Sequence, residues 1–226
     1  MMNGAMNGMK EFTNTMNNIH EIFPTPIYVN EPRIEEVFLV QKELNKKLEK
    51  LFKSELSQPP GRETKLKSNI HTQNNMIVEY GLDNLADYII KHAKNYLLQT
   101  KAWMRDNTVL ELGGSWTNVY DNGDAQEWHN HGDAFISGCY YYKANGINGD
   151  IGFKRSCPFM RKGDFPNGDE YKTDLYYAPK DGVLLLFPSW LDHKVLTNTT
   201  DQRRIVIAFD FYLNSPNSDA KYIVKM

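Results

Sequence analysis

After Asn107 the chain breaks into short runs of β-branched and aromatic residues separated by turn chemistry. SWTNVY ends at DNGD, FISGCYYYK ends at ANGINGD, and DIGF follows. GVLLLFPSW and RIVIAFDFYL come later. Several short strands at this spacing can bury their apolar faces only by packing sheet on sheet, so the pattern predicts a sandwich or barrel. No internal repeat interrupts it.

The N-terminal half is different. Residues 1–19, which begin MMNGAMNGMK, read as a polar, flexible leader without the apolar segment of a signal peptide. IFPTPIYV (22–29) carries two prolines inside an aromatic and β-branched run. Proline lacks a ladder donor, which suits an edge strand. From Pro32 to Leu56 the residues Ile34, Val37, Phe38, Leu44, Leu48, Leu51 and Phe52 recur at steps of three and four, the period of an amphipathic helix. A second helix is expected from Asp83, as N-cap, to about Met104, with Leu85, Ala86, Ile89, Ile90, Ala93, Tyr96 and Leu97 inward. His92 falls off that stripe and reads as a surface residue. The expectation is an α+β chain, mainly β. Residues 20–226 form one domain, with helical support over about 32–104 and a β core over about 108–213.

Composition narrows the function. With 13 Tyr, 11 Phe and 4 Trp in 226 residues, the chain can build a sizeable core. A formal charge of −2 and the lack of a dense Lys/Arg run argue against nucleic acid and anionic membrane surfaces as partners. Only Cys139 and Cys157 are present, which points to a reducing compartment rather than a disulfide scaffold. No apolar run has membrane-spanning length. The expectation is a soluble, cytoplasmic protein.

The stretch EWHNHGDAF (127–135) carries the chemistry. Alternate residues of a strand share a face, so His129, His131 and Asp133 would point into one cavity. His193, after the apolar run VLLLF, is the remaining histidine of the β region. Two imidazoles with a carboxylate, or three imidazoles, leave open positions on a non-haem ferrous ion. Eleven residues past His193 lies Arg204, which opens the last long strand. Arg204, Val206 and Ala208 share one face; Ile205, Ile207 and Phe209 share the other. A cation followed by small side chains makes room for a ligand with a carboxylate, which a guanidinium fork pairs bidentately. Parity also puts Ser137, Cys139 and Tyr141 on one face. Tyr120 is a further candidate, with Trp116 and Asn118 read as alternating with it so that only one set faces the pocket. Taken singly, each residue has an ordinary reading: a loop histidine, a flanking surface arginine, a core tyrosine. Arg203 reads as a surface charge.

Five segments, IFPTPIY, SWTNVYDNGD, HNHGDAFISGCYYY, GVLLLFPSWLDHKV and RRIVIAFDF, together resemble a family of 2-oxoglutarate/Fe(II)-dependent oxygenases of bacteria and cyanobacterial phages. The resemblance spans roughly residues 20–213. It implies a double-stranded β-helix (jelly roll, cupin-like) buttressed by the N-terminal helices. It also implies Fe(II), 2-oxoglutarate and O₂ as cofactor and cosubstrates. Arg204 would anchor the far carboxylate of 2-oxoglutarate. By similarity to prolyl hydroxylases, Tyr141 would donate to that carboxylate, with Ser137 and Tyr120 beside it. The iron ligands stay open between His129, His131 and His193 on one side and His131, Asp133 and His193 on the other.

The implied activity is hydroxylation of a protein side chain or small metabolite, with release of succinate and CO₂. A cupin-like metal enzyme that does not use 2-oxoglutarate and a non-enzymatic jelly-roll module are the competing readings. Substrates expected are small molecules or peptides. The long loop KRSCPFMRKGDFPNGDEYKTD (154–174) is expected to cover the pocket. The helical half either braces the sheet or offers a surface on which two copies could pair as a homodimer.

Overall fold

A computed structural model describes residues 25–54, 56, 66–70, 75–100, 109–154, 174–215 and 219–225. The leader (1–19), Cys157 and residues 155–173 of the expected pocket-covering loop (154–174) lie outside these residues.

Two antiparallel sheets form the β half. The larger one runs β1 (Tyr28–Asn30), β8 (Leu184–Pro188), β5 (Ile136–Lys143), β10 (Arg204–Asn214), β3 (Val109–Tyr120) and β11 (Ile223–Val224), with β2 (Lys67–Ser68) also paired to β3. The smaller one runs β4 (Gln126–His129), β9 (His193–Val195), β6 (Ile151–Lys154) and β7 (Asp174–Tyr177). The proline-flanked β1 pairs only with β8, at a sheet edge, where a missing donor is tolerated.

Parity divides β10 as the sequence reading expects. Ile205, Ile207, Phe209 and Phe211 enter the core that the large sheet shares with the helices. Val206 belongs to a second cluster with Tyr120, Cys139, Tyr141, Phe153 and Phe187. One sheet thus carries a core on each face.

Helix α1 (Ile34–Ser54) buries Val37, Val40, Leu44, Leu48 and Leu51, and Glu35 and Glu36 lie near its positive N-terminal end. Phe38, expected inward, is 59% exposed, because the buried stripe runs through Val40 instead. Helix α3 (Asp83–Thr100) buries Leu85, Ala86, Ile89, Ala93, Tyr96 and Leu97. The Glu43 carboxylate joins the two helices by accepting from the backbone N–H groups of Asn84 (3.3 Å) and Leu85 (3.1 Å). Those donors have no partner within their own helix. His92 is not on the surface. It is 4% exposed, with Nδ1 2.8 Å from the Tyr28 hydroxyl and its ring edge-on to Tyr88. The reason is β1, which covers the flank of α3 that helical periodicity alone leaves open. A short α2 (Met76–Glu79) is capped by the Asn75 side chain. Among the described residues no helix is long and apolar enough to cross a membrane.

Candidate metal centre

A cavity of about 630 Å³ opens between the sheets, within the usual size range for a small-molecule site. Its floor is a lattice of cross-strand neighbours on β3, β10 and β5. Arg204 lies opposite Tyr120. Val206 lies between Asn118 and Tyr141, Ala208 between Trp116 and Cys139, and Asp210 between Gly114 and Ser137. The two small side chains in the middle of β10 keep the cavity open.

Trp116, Asn118 and Tyr120 all line it. The expectation that only one set would face the pocket is therefore corrected: residues two apart in a strand share a face, so these three never alternate.

The smaller sheet supplies the histidines. His129 on β4 is the register partner of His193 on β9. His131 follows two residues later, after β4 has ended, held by its backbone N–H to the Ser189 carbonyl at 2.9 Å. One ring nitrogen from each of His129, His131 and His193 lies within 4.8 Å of the others, so one ion could reach all three. Asp133 does not join them. The strand ladder stops at His129, and a turn closed by Ala134 N–H to the His131 carbonyl (3.1 Å) leaves Asp133 exposed at the cavity rim.

Hydrogen bonding sets which nitrogen faces inward. Nδ1 of His129 is 2.8 Å from the Glu127 carbonyl, and Nδ1 of His193 is 2.9 Å from the Leu191 carbonyl. Nδ1 of His131 is 2.8 Å from a carboxylate oxygen of Asp210. Carbonyls and carboxylates only accept, so each Nδ1 carries a proton, and the lone pair of a neutral ring is then on Nε2. The Gln126 amide agrees: its nitrogen donates to His129 Nε2 at 3.2 Å, while its oxygen accepts from Tyr120 at 2.6 Å. Burial, reinforced by the neighbouring His129, pushes His193 down to about 3. It is therefore an uncharged imidazole at neutral pH, the form a metal binds.

At the other end lies Arg204, 1% exposed. Its guanidinium sits 3.9 Å from the centre of the Tyr120 ring. Nη1 donates to the carbonyl of Gly149, which a tight turn at φ +99° brings under it. A Cβ at Gly149 would lie 2.4 Å from the Leu196 carbonyl, so glycine is required here. Nε and Nη2 are buried with no partner among the described residues. Unpaired buried donors on a charged group are costly, and a carboxylate in the cavity would satisfy them. Nearby, burial first and then the neighbouring Cys139 hold the Tyr141 hydroxyl well above its ordinary value, so it stays a donor. Burial likewise pushes the Cys139 thiol up to about 12, which leaves it protonated.

Ser137, expected among cosubstrate contacts, donates instead to Asp210 at 2.6 Å. Asp210 itself was not among the residues expected at the site. It has the parity of Arg204, Val206 and Ala208, and continuing that count by two residues would have reached it.

Residues 114–210 match the family described as "Putative 2OG-Fe(II) oxygenase". No curated protein sequence matches the chain. Among solved structures, the non-haem α-ketoglutarate-dependent epimerase SnoN from nogalamycin biosynthesis is similar with a TM-score of 0.59 at 11% identity, over 88% of this chain and 86% of that one. A Pseudomonas putida prolyl-4-hydroxylase reaches 0.54 at 13% identity, over 82% and 92%. HygX from Streptomyces hygroscopicus, solved with nickel and 2-oxoglutarate bound, reaches 0.51 at 12% identity, over 87% and 85%. At these identities the likeness is one of fold, the double-stranded β-helix.

Proposed function

On the premise of a 2OG-Fe(II) oxygenase core in residues 114–210, we propose that this chain is a hydroxylase acting on a peptide side chain or a small molecule. Its ligands to Fe(II) are His129, His131 and His193, and Arg204 is its anchor for 2-oxoglutarate. The observation that carries the reading is the pairing, in one cavity, of three histidines with ring nitrogens within 4.8 Å of one another and a buried guanidinium with two donors unmet among the described residues.

When bound, Fe(II) and 2-oxoglutarate supply the oxidising chemistry: substrate C–H, 2-oxoglutarate and O₂ become substrate C–OH, succinate and CO₂. The chain supplies placement. Arg204 would hold the distal carboxylate of the cosubstrate through Nε and Nη2, its guanidinium lying over the Tyr120 ring. Tyr141, a protonated donor, would hydrogen-bond the same carboxylate. Val206 and Ala208 leave space for the carbon chain. Trp116, at the cavity wall beside His131 (ring centroids 5.4 Å apart), helps keep bulk water from the reacting end.

The test is an anaerobic titration of the protein with Fe(II) and 2-oxoglutarate, following the visible charge-transfer band of the chelate, beside Arg204→Ala. A band in the parent protein that weakens in the variant supports both cosubstrate and anchor. Iron binding without a band would favour the cupin-like metal enzyme that does not use 2-oxoglutarate. Absence of iron binding would sink the reading.

A further inference from the structure

The three histidines are not held alike. His129 and His193 each give the Nδ1 proton to a backbone carbonyl two residues earlier in the chain, a contact any local chain segment can supply. His131 has left the strand, and no local carbonyl receives its Nδ1 proton. Its partner comes from β10, 79 positions away, and is a carboxylate.

That carboxylate is prepared for the task. Asp210 is 5% exposed, and Ser137, fully buried on β5, donates to the same oxygen at 2.6 Å. The Ser137 hydroxyl also lies 3.1 Å from His131 Nδ1, so serine, aspartate and histidine close a three-membered network. A β-bulge fixes the position. The register of β10 on β3 shifts between Asp210 and Phe211, so that Asp210 opposes Gly114, Phe211 opposes Leu112, and Gly113 is passed over. Of the two carboxylates that line the cavity among the described residues, Asp133 is exposed and Asp210 is buried.

We propose that Asp210, clamped by Ser137, is the positioning residue of this centre. It holds the Nδ1 proton of His131 so that Nε2 faces the ion, and it supplies from behind an all-histidine ligand set the negative charge that the set lacks. A carboxylate behind a ligating imidazole raises its basicity and fixes its orientation. This inference rests on the metal reading above, but its tautomer half does not.

Two measurements test it, each on the full chain. The first needs no metal: long-range ¹H–¹⁵N spectra of the imidazoles in the parent protein, Asp210→Asn and Ser137→Ala. The parent is expected to show His131 protonated at Nδ1. Asp210→Asn, whose amide can donate, is expected to move the proton to Nε2 or to give a mixture, with His129 and His193 unchanged. The second is calorimetric titration with Co(II), an oxygen-stable probe, together with its visible spectrum. Asp210→Asn is expected to weaken Co(II) by about 10- to 100-fold and to shift the bands. Ser137→Ala is expected to do the same to a smaller degree, and Asp210→Glu to recover part of the loss. If Asp210→Asn does not fold, Ser137→Ala and Asp210→Glu carry the test. An unchanged His131 tautomer with parent-like Co(II) affinity would overturn the proposal. A parent protein that shows the expected tautomer but binds no Co(II) would overturn the metal reading and, with it, the charge half of this proposal.

Discussion

The two faces of β10 ask opposite things of their side chains. On the helix side, Ile205, Ile207, Phe209 and Phe211 are closed in by neighbours and have no interaction left to make. On the cavity side the series is Arg204, Val206, Ala208 and Asp210: a charge, two small groups and a charge. Arg204 keeps two buried donors without partners among the described residues. One strand therefore separates stability from binding by parity alone. The packed face is where the fold gains free energy. The open face is where interaction is held back for a ligand.

The widest break in that comparison should come from the packed face. Phe209→Ala is expected to lower stability by about 3–5 kcal/mol through lost contacts and a residual cavity. The urea midpoint should drop accordingly, while the protein that remains folded binds 2-oxoglutarate as before.

Arg204→Met should do the reverse. Removing a buried, partly unpaired charge is expected to leave the ligand-free midpoint unchanged or raise it. The affinity for 2-oxoglutarate should fall by about 100-fold, roughly 3 kcal/mol. A midpoint loss as large as that of Phe209→Ala would make Arg204 a structural residue and remove the distinction.

A smaller effect sharpens it. Burial, reinforced by Lys91, holds His92 at about 4, and burial with His129 holds His193 at about 3. Both folded values lie below the ordinary 6.5, so the unfolded chain takes up protons first as pH falls. Their contribution to stability is complete above about pH 6.5 and is lost on acidification toward 3–4. Between pH 7.5 and 6.0 the loss depends only on the unfolded value and comes to about 0.8 kcal/mol for each histidine. Urea midpoints of metal-free protein at the two pH values check this. A variant without His92 should lose about 0.8 kcal/mol of that change and keep the part that belongs to His193. A slope that rises toward acid would contradict the burial of both rings.

Much of this architecture was legible in the sequence, because period-two patterns are read directly off a strand that is buried on both faces. The division of β10, the face shared by Ser137, Cys139 and Tyr141, and the convergence of His193 on the HNH stretch all follow from counting. What counting missed has particular causes. Asp133 was placed in the ladder because the turn at residues 131–134 leaves no strong signal in HGDA beyond one glycine. His92 was placed on the surface because helical periodicity cannot know that β1 lies over the flank of α3. Trp116, Asn118 and Tyr120 were split between faces although their parity is the same. Asp210 was passed over because FDF reads as the apolar end of a strand. The histidine tautomers depend on carbonyls two residues back and on a carboxylate from another strand, which only the folded chain brings together.

The rungs of the cavity floor also bear on how such a gene can vary. A single-codon insertion or deletion within β10 would exchange the faces of every residue beyond it, so that with the Arg204 end anchored Ile207 and Phe209 would turn into the cavity, and fold and chemistry would be lost in one event. A two-codon change would preserve the faces yet carry the arginine about 6.6 Å along the sheet, away from Tyr120 and Gly149. Length variation in descendants of this chain is therefore expected in the connections between strands, while this strand changes only letter by letter.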